Sequence, residues 1–171
     1  MRTSFTVTIA SIVVLILLAS MTLFTVDQRE KAMVFRLGEI TSIKTEPGLF
    51  WKLPLIENVM FFDARTHTVD TDEPERFLTS EKKNVLVDSF IKWRISDVKQ
   101  YYISVGGDER RARDRLNKTV NDSLRAEFGK RTVYQVISGE RDEIMELMRE
   151  KVDVDARKIG VEVLDVRLKR V

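Results

Sequence analysis

Residues 5–26 form an unbroken apolar run of 22 positions without one charged side chain. As a helix this run would measure about 33 Å, enough to cross a hydrocarbon core of roughly 30 Å. The pattern predicts a transmembrane anchor over 5–26, preceded by a short tail, 1–4, and followed by a soluble domain, 27–171. A cleaved signal peptide would have an apolar core of about 7–15 residues and small residues at its cleavage site. The best candidate site here, Leu18-Ala19-Ser20, places a bulky leucine where a small residue belongs. A uniformly apolar core helix would need a larger protein around it.

Beyond the run, hydrophobic positions follow shorter periods. Residues 32–37 predict a strand ending at Gly38, and 58–69 predict another. Pro47-Gly48 marks a turn, and the polar stretch 71–84 reads as a loop or hairpin connection. Over 85–95, Val85, Val87, Ile91, Trp93 and Ile95 alternate with Asp88, Lys92 and Arg94, a period of two that predicts a strand with one solvated face.

Three helices are expected next: 97–104, stopping at Gly106-Gly107; 109–128, striped by Ala112, Leu116, Val120, Leu124 and Phe128; and 140–159, striped by Ile144, Met148, Val152, Ala156 and Ile159. Asp108 and Ser138 are suited to cap the second and third, while Gly129 and Gly160 are suited to close them. A last strand, 161–169, sets Leu164, Val166 and Leu168 against Asp165, Arg167 and Lys169. An anchor, three or four strands, helices and a returning strand make an α+β domain with helices on one face of a mainly antiparallel sheet.

Charge sharpens this division. Of 56 charged residues, 55 follow Val26, and the formal net charge is only +2, which leaves no nucleic-acid footprint. Cysteine is absent, so disulfides, thiolate metal sites and a cysteine nucleophile are excluded. The single histidine, His67, cannot build a site of several imidazoles, and no G-x-S-x-G elbow is present. Ser80 with Lys82 or Lys83, and Ser89 with Lys92, are pairs expected by chance in a chain with 29 basic residues. Asp142, Glu143, Glu146 and Glu150 read as a solvated helix face, and the scattered glycines form no phosphate loop. The sequence thus predicts no catalytic, metal or cofactor site.

Two features remain. The run GLFWKLPLI at 48–56 places Phe50, Trp51, Lys52 and Leu53 near the anchor, where Trp suits the membrane interface and Lys can snorkel; the alternative is that these residues fill the core. The basic cluster Arg110, Arg111, Arg113 and Arg115 is either the solvated side of its helix or a surface for an acidic partner or lipid headgroups.

The segments VDQREKAMVFRLGEI (26–40), EPGLFWKLPLIENVMFFDAR (46–65), EKKNVLVDSFIKWRISD (81–97) and VEVLDVRLKRV (161–171) resemble the SPFH domain, also called Band 7 or prohibitin homology, of stomatin-like membrane proteins. The resemblance covers nearly the whole chain. It implies a non-enzymatic scaffold in the bacterial inner membrane, single-pass, with a cytoplasmic N-terminus and a periplasmic main domain. It also implies hetero-oligomers with an HflK-like SPFH partner, regulating an FtsH-type membrane protease by restricting substrate access. Similar chains continue into a long helical region, and this sequence is read as stopping before it.

Overall fold

The computed structural model describes residues 20, 22–70, 74–137 and 141–170. Most of the expected anchor, residues 5–19 and 21, therefore lies outside the described residues. Its last positions, 23–26, are strand rather than helix, and no helix among the described residues is long and apolar enough to cross a membrane. The chain divides into two compact units, Met1–Asp63 and Ala64–Val171.

Among its described residues the first unit carries five strands. β1 (Leu23–Val26) pairs antiparallel with β4 (Gly48–Trp51). β2 (Glu30–Arg36) lies between β3 (Glu39–Lys44) and β5 (Glu57–Asp63) in a three-stranded antiparallel sheet. As the middle strand, β2 buries Ala32, Met33, Val34 and Phe35 in succession. It turns into β3 through Leu37 and Gly38, both at positive φ (50° and 92°), so the strand stops one residue earlier than its apolar pattern suggests.

The second unit is built on β8 (Asn84–Ile95), whose side chains alternate buried and outward along its length as the sequence pattern requires. β6 (His67–Asp70) pairs antiparallel with the second half of β8, and β7 (Glu75–Leu78) with its first residues. β9 (Val161–Arg170) also pairs with β8, antiparallel. Four helices separate β8 from β9: α1 (Val98–Val105), α2 (Glu109–Phe128), α3 (Val133–Ile137) and α4 (Arg141–Arg157). α4 packs along β9, and α2 packs against α4 and β7. All ten residues of the two predicted helical stripes are buried, and each of the eight larger than alanine gains roughly 1.5–3 kcal/mol on leaving water.

Several expectations need correction. The strand expected over 58–69 is two, β5 and β6, separated at 64–66 and belonging to different units. The presumed loop 71–84 contains β7, whose Phe77 is buried edge-on against Phe128, 5.6 Å between ring centres. Among the described residues eight strands precede α1, where three or four were expected, and α3 was not anticipated. α3 starts on Thr132 and Gln135: Gln135 Oε1 accepts from the Thr132 N–H at 3.0 Å, and the Gln135 N–H reaches Thr132 Oγ1 at 3.4 Å. Such a box is easily missed when only five residues follow it. Gly129 keeps a right-handed φ of −62°, so it does not serve as a left-handed stop. Ser138 lies outside the described residues.

The clearest correction concerns β9. Its pairing with β8 steps from Lys92↔Asp165 to Trp93↔Val163, leaving Leu164 as an extra residue, a β-bulge. The bulge reverses the phase of the strand. Val161 and Val163 are buried before it and Val166 and Leu168 after it, whereas Leu164 is outside.

Gly160 joins these elements. Its carbonyl accepts from the Ser96 and Asp97 N–H groups, each at 3.1 Å, and its φ is +78°. A Cβ there would collide with the Asp97 carbonyl and the Tyr101 N–H. Gly160→Ala is expected to lower stability by about 3 kcal/mol, from a left-handed non-glycine residue plus overpacking. Leu164→Thr is expected to change it by less than about 0.5 kcal/mol. Urea midpoints of the two variants check both.

Candidate membrane interface and partner surfaces

In the β1–β4 pair, directly opposed residues share a face. Leu23 opposes Trp51 and Thr25 opposes Leu49, whereas Phe24 opposes Phe50. The first face is outward: Leu49 is 64% and Trp51 69% exposed. The second is inward: Phe24 meets Phe50 at 5.8 Å and Phe61 edge-on at 6.3 Å. The Lys44 ammonium lies 5.2 Å from the centre of the Phe50 ring. The four residues singled out around Trp51 therefore divide. Trp51 and Leu53 are exposed, Lys52 is half-buried, and Phe50 packs within its own unit. Trp51 and Leu53 are not core residues.

The turn after β4 extends the apolar surface. Leu55 sits at φ 71° and is 96% exposed, with Ile56 beside it also exposed. A leucine held left-handed and bare to solvent carries strain that something must maintain. Glu57 does so. Its buried carboxylate accepts from the Leu53 N–H at 2.8 Å and from Arg36 Nη2 at 2.7 Å, and its own N–H bonds the Leu53 carbonyl at 2.9 Å. The Leu53 N–H, and then Arg36, hold its pKa below the ordinary glutamate value. Lys52 N–H donates to the Thr22 carbonyl at 2.7 Å, which ties the turn to the start of β1.

The arginine cluster lies on the first turns of α2, on the side away from Ala112 and Leu116. At about 100° per residue, Arg110, Arg111, Arg113 and Arg115 spread over roughly 200° of the helix surface rather than one focus. Asp108, the N-cap, lies 3.7 Å from Arg111 and 4.0 Å from Arg110; Glu109 holds Arg113 at 3.0 Å. On α4, Glu146 is chelated by Arg149 at 2.6 Å. Arg110, Arg111, Arg113 and Glu146 thus each have an oppositely charged near neighbour.

The serine–lysine pairs do not assemble. Ser89 is buried while Lys92 projects from the opposite face of β8. Ser80 uses its N–H on the Arg131 carbonyl at 3.0 Å. His67 stacks on the fully buried Trp93 at 4.8 Å, with Nδ1 3.7 Å from Glu109.

Besides Glu57, two more buried acids escaped the sequence reading. Asp153 accepts from the Val163 N–H at 2.9 Å and from Arg157 at 2.7 Å, fastening α4 to β9 beside the bulge. Glu127 is buried against Lys151, with Lys130 and Arg131 each at 3.7 Å. The available signal was spacing. Glu127 falls three residues after Leu124 and seven after Val120, an acid on an apolar stripe. The Lys151 hydrogen bond, then the charges of Lys151, Lys130 and Arg131, lower its pKa. A carboxylate whose pKa is depressed by folding contributes stability above the ordinary value of about 4.3, and that contribution is lost as pH falls through the folded value. Glu127→Gln is therefore expected to cost about 1–3 kcal/mol at pH 7, with the difference from the parent shrinking as pH falls below about 4. Urea titrations at several pH values measure this.

Comparison with known proteins now places the molecule. The family described as SPFH domain / Band 7 matches residues 24–171. Protein HflC of Haemophilus influenzae is 44% identical over 130 residues, covering 74% of this chain and 44% of that protein. Protein HflC of Vibrio cholerae is 33% identical over 200 residues, covering 95% of this chain and 61% of that protein. The Escherichia coli K12 protein named modulator of FtsH protease HflC is 38% identical over 140 residues, covering 78% of this chain and 42% of that protein. The chain spans about half the length of these curated relatives. Matched from β1 to its last strand, with its antiparallel sheets and packed helices, the chain belongs to the SPFH domain / Band 7 family.

Proposed function

We propose that this chain is a non-enzymatic scaffold of the bacterial inner membrane, which assembles with an HflK-like SPFH partner and regulates an FtsH-type protease by restricting substrate access. The observation that carries the reading is its 38% identity, over 78% of the chain, to a protein named as a modulator of FtsH protease. The part of the 5–26 run that precedes β1 is the anchor, with the N-terminus cytoplasmic and the domain from β1 onward periplasmic.

The exposed apolar face lies next in sequence to that anchor. Leu23, Leu49, Trp51, Leu53 and Leu55 enter the bilayer interface, each large side chain gaining roughly 1.5–3 kcal/mol when fully withdrawn from water. Lys52 reaches the headgroups, as a snorkelling side chain does. Phe50 supports the face from behind through Phe24. Confinement to two dimensions raises the effective concentration of neighbours, so lateral contacts need not be strong singly. The arginines of α2 contribute to such contacts by setting register at a charged rim more than by adding affinity.

Two measurements test this. Purification in mild detergent is expected to recover the chain with an FtsH-type protease and an HflK-like protein; recovery as a lone monomer contradicts the scaffold. In vesicles containing brominated lipids, Trp51 fluorescence is expected to be quenched and that of buried Trp93 left unchanged. Equal response of the two tryptophans contradicts the interface.

A further inference from the structure

β9 is an outer strand of its sheet. β8 lies along one side of it, and no strand among the described residues lies along the other. An open edge offers main-chain groups to any extended chain. The first half of this edge is closed: Val163 turns its N–H away from β8, and Asp153 of α4 accepts it at 2.9 Å. Ladder groups alternate along a strand. Past the bulge, the main chain of Asp165 and Arg167 therefore faces Lys92 and Phe90, and that of Val166 faces outward. Beside it lies a groove of about 570 Å³, walled by Met145, Glu146 and Arg149 of α4 and by residues 165–168 of β9.

The charges lining this groove balance. Glu146 is paired with Arg149 at 2.6 Å and Asp165 with Arg167 at 2.9 Å. A wholly acidic or wholly basic segment would meet as many like charges as opposite ones. A second β9 would not. Laid antiparallel with Val166 opposite its counterpart, it sets Asp165 against the second copy's Arg167, and Arg167 against the second copy's Asp165. Directly opposed residues share a face. The register respects this: Asp165 and Arg167 are both on the outer face, and Val166 is buried on the inner one. The two Val166 residues then exchange N–H and carbonyl hydrogen bonds. Edges are commonly guarded by charges that repel a copy of themselves; the charges here attract one.

We propose that this chain pairs with a second copy of itself through the β9 edge at residues 165–167, extending the antiparallel sheet of the second unit across a two-fold axis at Val166. The contact goes beyond the scaffold reading and needs neither the protease nor an HflK-like partner. It is short. In this register Leu164 opposes the second copy's Leu168, so the bulge ends regular pairing on both sides of the axis. Few main-chain bonds form, and the pair is weak in dilute solution. It strengthens where chains are held close together, as at a membrane surface.

The test uses the full chain in detergent. Because the sequence has no cysteine, introduced thiols report the register without background. Across the axis, residues 165 and 167 form a pair without ladder bonds, the closer kind, within reach of a disulfide. Chains carrying Asp165→Cys mixed with chains carrying Arg167→Cys are expected to link into dimers under mild oxidation several times faster than either alone. Sedimentation of the cysteine-free chain reads the charges. Asp165→Arg turns both cross-strand pairs into like-charge pairs and is expected to weaken self-association roughly tenfold. Adding Arg167→Asp to it should restore association, and Arg110→Glu should leave it unchanged. Urea midpoints check that each variant is folded. A parent chain that stays monomeric when concentrated, linking no faster in the mixture than in either chain alone, or a double exchange as weak as the single one, overturns the proposal. Co-purification separates the two readings: protease and HflK-like protein present without linked dimers refutes this contact alone, and linked dimers with both absent refutes the scaffold.

Discussion

The functional account depends on one main-chain constraint, the pairing of residues 23–26 with 48–51. Antiparallel pairing places Leu23 with Trp51 and Thr25 with Leu49 on one face, and Phe24 with Phe50 on the other. A shift by one residue would bring Phe50 outside and Trp51 inside, because side chains alternate along a strand. The register makes an apolar face from residues that would otherwise be scattered, and it builds that face on β1, the last four residues of the long apolar run. Glu57, anchored to Arg36 and the Leu53 N–H, holds the following turn so that Leu55 remains outside. A buried charge here keeps an apolar side chain exposed.

The second unit manages its charges in the opposite way. β8 gives one face to the helices and the other to charged side chains, and these pair across strands: Arg94 with Glu162, and Lys169 with Asp70. Exposed pairs of this kind add little stability singly. They keep the outer face wet while the stripes of α2 and α4 bury its back. Asp153 and Glu127 are exceptions. Each is buried and each holds a cation at a helix surface; Asp153 also fastens α4 to β9, and Glu127 joins α2 to α4.

Periodicity made α2, α4 and β8 legible in advance, since their apolar positions recur without interruption. The eight-strand order was not, because short edge strands such as β6 and β7 carry too few residues for alternation to stand out. Leu164 shows a sharper limit. Its pattern fits a strand on either side, and only pairing with Lys92 and Trp93 reveals the extra residue that turns it outward. The interface run was visible from Trp51 and its neighbours, but its division into outward Trp51 and inward Phe50 came from the partner strand. The arginine cluster attracted notice for its density, while the local acids that neutralise most of it lie one or two positions upstream.

The central claim is that an anchored, chemically inert body changes what a neighbouring protease can reach. Reconstituted vesicles containing an FtsH-type protease, one membrane-embedded substrate and one soluble substrate test it most directly, with and without this chain and an HflK-like partner. The account predicts that cleavage of the embedded substrate slows, cleavage of the soluble one is unchanged, and the chain without protease cleaves neither. Cleavage by the chain itself, or equal rates for the embedded substrate in its presence and absence, would contradict it.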